Sequence, residues 1–74
     1  MSADILADAK LTVNGDDVPL GNLATIGDLL AALKIAPQRV VVELNGVIYR
    51  RAEGLNAGLS DGDVVEIVHF VGGG

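Results

Sequence analysis

The group in this chain best placed to do chemistry is the α-carboxylate of Gly74. It follows Gly72 and Gly73 at the end of a strongly β-prone run, Val64-Val65-Glu66-Ile67-Val68-His69-Phe70-Val71. Three glycines in a row cost conformational entropy to order, and they make sense where a backbone must pass through an opening too narrow for a Cβ. A carboxylate on such a tether can reach a catalyst buried in another protein. The same residues also suit a frayed terminus or a cloning scar.

The other reactive side chains form no competing centre. His69 is the single histidine, and in a strand it reads as a surface or partly packed residue. Asp61 and Asp63 flank Gly62 with no further ligand set, so they read as turn formers, and no metal site is expected. Asn14-Gly15 and Gly21 are not followed by Lys-Ser or Lys-Thr, which removes a phosphate loop. Arg50 and Arg51 are expected to pair with the protein's own acidic surface, or else with acidic groups of a partner. With no cysteine there is no disulfide, thiolate metal site or thiol nucleophile, so any sulfur chemistry must use imported sulfur. No catalytic side chain and no bound cofactor are expected.

The elements that must carry this tail fit in one small domain of 74 residues. Half of the residues are hydrophobic but only Tyr49 and Phe70 are aromatic, so the core is expected to be aliphatic. No apolar run approaches the roughly 18 residues of a membrane span. Nor does a basic segment followed by an apolar one open the chain, so the expected location is the cytoplasm. The net charge of −5 argues against nucleic acid and anionic membranes as partners and favours positively charged surfaces.

Residues 1–9 read as a flexible extension, 10–71 as the domain and 72–74 as the glycine tail. Lys10 to Val13 alternates polar with apolar and meets the turn Asn14-Gly15-Asp16; a short second strand at Val18 to Leu20 contains Pro19 and therefore belongs at an edge. Thr25 is a good N-cap with Asp28 three residues on. Ile26, Leu29, Leu30 and Leu33 then make one sheet-facing stripe of a helix that Pro37 ends by about Ile35. Val40 to Leu44, Asn45-Gly46 and Val47 to Tyr49 form a hairpin with a type I′ turn. Residues 50–58 are irregular, with Leu55 and Leu59 plugging the core, and the turn Ser60-Asp61-Gly62-Asp63 leads into the last strand at Val64.

A sheet this small hides one face behind one helix, and alternation assigns the faces. Burying Val65, Ile67, Val40, Val42 and Leu44 leaves Val41, Glu43, Glu66, Val68 and Phe70 outside. Val41, Val68 and Phe70 then make an exposed apolar patch beside the root of the tail. The opposite register would place Phe70 in the core.

This pattern resembles the α+β ubiquitin-like β-grasp fold, a mixed sheet of about five strands on one helix with a flexible glycine tail, and within it the ThiS-type sulfur carriers of thiamin biosynthesis. The residues carrying the likeness are Val13-Asn14-Gly15, Thr25-Ile26-Gly27-Asp28-Leu29-Leu30, Val42-Glu43-Leu44-Asn45-Gly46 with Arg50 after it, and Asp61-Gly62-Asp63-Val64-Val65-Glu66-Ile67 running to Gly73-Gly74. The resemblance implies that a ThiF-type adenylating enzyme uses ATP to activate Gly74, that a persulfide donor supplies sulfur, and that the resulting thiocarboxylate serves a ThiG-type thiazole synthase. It implies further that Gly72 and Gly73 thread partner active sites, that Val41, Val68 and Phe70 dock partners, and that the free carrier is a monomer. Two departures are the extension over residues 1–9 and Tyr49 where many relatives have proline before the arginine. The small subunit of molybdopterin synthase shares the fold and the Gly-Gly end and stands as the alternative, beside a ubiquitin-like protein tag and a plain interaction domain with an inert tail.

Overall fold

A computed structural model describes residues 8–50 and 52–70. The five strands are β1 (Lys10–Val13), β2 (Asp16–Pro19), β3 (Val40–Leu44), β4 (Val47–Arg50) and β5 (Val64–His69). They form one mixed sheet in the order β2-β1-β5-β3-β4, and the helix α1 (Ile26–Ala32) covers one face. This is the arrangement expected of a β-grasp. The last strand in sequence is the middle strand in space, parallel to β1 and antiparallel to β3.

Both hairpins turn on Asn-Gly. Asn14 and Gly15 have φ of 49° and 87°, and Asn45 and Gly46 have 50° and 90°, the paired positive values of a type I′ turn. A two-residue loop leaves Asp16 opposite Val13, so β2 begins at Asp16 and ends at Pro19 and does not run over Val18 to Leu20. As an edge strand it tolerates two aspartates and a proline.

Thr25 caps α1 as its sequence predicts. Its hydroxyl accepts the Asp28 N–H at 3.1 Å, and the Asp28 carboxylate accepts the N–H groups of Ala24 and Thr25 at 2.9 and 3.2 Å. The next two donors are taken by the connection before β5, Ile26 N–H by the Ala57 carbonyl and Gly27 N–H by that of Leu55. The helix stops earlier than expected, and Pro37 does not end it. Lys34 adopts φ of 60°, its N–H bonds the Ala31 carbonyl, and the Ile35 N–H reaches back to that of Leu30, a Schellman closure. The reversal brings Ile35 against the core and leaves Leu33, placed by its spacing on the sheet-facing stripe, 41% exposed. Pro37 instead opens a 3₁₀ turn over Pro37–Arg39 that feeds β3.

The core is wholly aliphatic: Leu11 and Val13 from β1, Ile26, Leu29 and Leu30 from α1, Val40, Val42 and Leu44 from β3, Val65 and Ile67 from β5, and Leu59 as the plug. Each fully buried side chain contributes about 1.5–3 kcal/mol by leaving water. Leu55 is half-buried beside it. In the same connection Gly54 has φ of 69°, and a Cβ built on it would run into the Tyr49 ring, so glycine is what lets that ring pack against the loop. Among the described residues no helix is long and apolar enough to cross a membrane.

Candidate functional site

The face of the sheet turned away from α1 is where the sequence puts the docking patch. Val65 and Ile67 are buried, so Glu66 and Val68 point to the other side, and Phe70 lies 39% exposed just past the strand. The outward alternative holds for this strand. Register then fixes the neighbours: Val41 lies opposite Val68 on β5 and Arg50 on β4, and Glu43 lies opposite Glu66 on β5 and Ile48 on β4. Val68 is 62% exposed and Ile48 54%, while Val41, between two strands, is half-buried. The predicted trio is therefore brought together on one surface, with Ile48 as an apolar neighbour that the prediction omitted.

Three hydrogen-bonded contacts hold β5 beneath this face. At its start, Asn45 donates its main-chain N–H to the Val64 carbonyl and accepts the Val64 N–H on Oδ1, both at 2.9 Å. Near its middle, Asn14 Oδ1 accepts the Ile67 N–H at 2.7 Å and Nδ2 donates to the Ile67 carbonyl at 3.2 Å. At its end, the Phe70 N–H donates to the Arg39 carbonyl at 2.9 Å, which carries the β3 ladder past the strand. The Asn14 contact matters most because β1 has already turned away, so the carboxamide stands in for a peptide group that β1 no longer supplies. Sequence reasoning read both asparagines as turn residues only. The hint available was their identical Asn-Gly setting, but reach to β5 depends on sheet order.

Asp61 and Asp63 serve as turn residues. Asp61 accepts the Lys10 N–H at 2.9 Å, and Asp63 accepts the Ser60 N–H at 2.8 Å and Asn45 Nδ2 at 3.0 Å. His69 is exposed on the last residue of β5. The expected pairing of Arg50 with the protein's own acidic surface is not found: among the described residues the ion pair is Lys10–Asp17 at 3.1 Å, on the β1–β2 edge. Arg50 meets an acid only through its main-chain N–H, which donates to Glu53 at 3.3 Å. Arg51, Gly72, Gly73 and Gly74 lie outside the described residues, as does most of the extension; Ala9, at its end, accepts the Leu20 N–H at 2.9 Å.

Among the described residues the arrangement presents a partly apolar surface beside Phe70. Comparison with known proteins places the chain in a family. Residues 8–74 match the model of the ThiS family. The chain is 45% identical over 65 residues to the sulfur carrier protein ThiS of Bacillus subtilis, covering 86% of this chain and 98% of that one. It is 35% identical over 65 residues to a thiazole synthase of Paramagnetospirillum magneticum, covering 88% of this chain but 20% of that protein. A thiazole synthase of Magnetococcus marinus matches to the same extent, 35% over 65 residues. Among solved structures, the crystal structure of the thiamine biosynthesis protein ThiS from Geobacter metallireducens superposes with a TM-score of 0.71 at 40% identity, covering 88% of this chain and 99% of that chain. A solution structure of a thiamine biosynthesis protein from the same organism gives 0.67 at 40% identity.

Proposed function

The chain belongs to the ThiS family, a sulfur carrier of thiamin biosynthesis, and from that premise we propose that Gly74 is the residue on which the sulfur travels. The observation that carries the reading is the continuity of the family match through Gly74, beyond a strand whose next residue, Phe70, is still tied to Arg39. The anchored part presents the tail, and the glycines give it the slimness to enter an active site.

A carboxylate is a poor electrophile until one of its oxygens becomes part of a leaving group. A ThiF-type enzyme supplies this by letting a Gly74 carboxylate oxygen attack the α-phosphorus of ATP, which releases pyrophosphate and forms the acyl adenylate. A persulfide sulfur then attacks the acyl carbon and AMP departs. A thiol cleaves the remaining S–S bond, being oxidised to a disulfide, and frees the thiocarboxylate. The carrier contributes the reacting atoms and a docking face, Val41, Val68 and Phe70, while ATP is handled by its partner. Kinship with a segment of two thiazole synthases supports a ThiG-type synthase as the acceptor. All of these steps belong in the cytoplasm, with the carrier a monomer between encounters.

The test is the intact mass of the protein after incubation with a ThiF-type enzyme, ATP and a sulfur donor. The expected result is one terminal oxygen replaced by sulfur, localised to Gly74, and no change in a chain lacking Gly74 that retains its fold. Sulfur acquired by the shortened chain would overturn the assignment.

A further inference from the structure

The outer face of the sheet carries a charge pattern that the apolar patch alone does not explain. Going from the tail root along β3 and β5, the first level holds Arg39 beside Phe70, the next Arg50, Val41 and Val68, and the third Ile48, Glu43 and Glu66. Glu43 and Glu66 are direct cross-strand partners, both exposed, and neither takes part in a salt bridge among the described residues. Like charges in that position destabilise a sheet. The neighbours do not relieve them: Ile48 lies opposite Glu43 on the far side, and Arg50 is one level away, opposite Val41.

We propose that the Glu43–Glu66 pair is the receptor for a basic side chain, an arginine or lysine projecting from an apolar surface of the enzyme that adenylates the tail. The inference rests on the carrier reading given above and adds to it the chemistry of the contact. A cation between two carboxylates turns their repulsion into two attractions, and the apolar side chains around them exclude water and strengthen both. An enzyme that must bring a carboxylate up to a triphosphate works in a positive field, and a carrier of net charge −5 approaches it favourably. The opposite polarity at the tail root fixes the orientation. With the acidic pair seated on the cation the charges are complementary, whereas a carrier docked the other way round would set Arg39 or Arg50 against that same cation.

The experiment is ATP–pyrophosphate exchange by the adenylating enzyme of the same organism, with carrier concentration varied at low and high salt. Glu43→Gln combined with Glu66→Gln should raise KM for the carrier about tenfold or more at low salt while kcat stays within about twofold. The difference should shrink at high salt, and the thermal midpoint of the free variant should stay the same or rise. Opposite movements of affinity and stability separate a docking role from a structural one. Asp8→Asn combined with Asp16→Asn removes the same amount of charge away from this face and should leave KM nearly unchanged. If the control raises KM as much as the glutamate pair, or if the pair variant keeps the parent KM, the inference is overturned and the carrier reading stands. No exchange with the parent protein would overturn both.

Discussion

The Asn14 carboxamide closes on both main-chain groups of Ile67, accepting its N–H at 2.7 Å and donating to its carbonyl at 3.2 Å. It thereby extends the β1 edge by one peptide equivalent at the place where β1 itself turns away. Replacing Asn14 with glycine keeps the positive φ of the turn and removes only the carboxamide. The expected loss is about 1–3 kcal/mol in urea unfolding, with faster amide exchange at Ile67. A loss below about 0.5 kcal/mol would show that water replaces the contact.

Lys34 ends α1 in the left-handed region at a position where glycine is the usual residue. Lys34→Gly should stabilise the protein by about 1 kcal/mol, read as a higher denaturation midpoint at unchanged slope. A lower midpoint would mean that the greater freedom of glycine in the unfolded chain outweighs the strain relieved.

Gly54→Ala should destabilise by about 2–4 kcal/mol, since it combines left-handed strain with a clash against the Tyr49 ring. Tyr49 is the only tyrosine and there is no tryptophan, so the intrinsic fluorescence of the protein reports this contact directly. A variant with parent-like emission and stability would show that the ring swings aside at little cost.

Phe70→Glu should cost about 1 kcal/mol or less in stability, because the residue lies outside the core, yet weaken binding to the adenylating enzyme about tenfold or more. Unchanged affinity in a titration would remove Phe70 from the docking face.

What was legible in the sequence followed from local rules. Asn45-Gly46 between two β-rich runs, and Thr25 with Asp28 ahead of an apolar stripe, are self-contained signals, and each element begins where they place it. The faces of β3 and β5 followed from alternation once burial of Val65 and Ile67 was assumed. The end of α1 was not legible, because a lysine in the left-handed region carries no sign of it and the proline two residues beyond Ile35 offered a plausible but later stop. β2 begins two residues before, and ends one residue before, the bounds its sequence suggests, because aspartate is a poor strand former, a preference that an exposed edge overrides. The two asparagine contacts and the Glu43–Glu66 opposition join residues far apart in the chain. They exist only once β5 is known to lie between β1 and β3.

That central position also gives the molecule a mechanical character. A pull applied at Phe70 runs along the axis of β5, whose hydrogen bonds to β3 lie across the direction of pull and whose bonds to β1 are slanted to it. The load is therefore shared in shear by two ladders and by the asparagine contacts, and does not peel one bond at a time as it would from an edge strand. On the carrier reading proposed above, a partner that pulled on the chain beyond Phe70 would load the whole sheet and not a single edge.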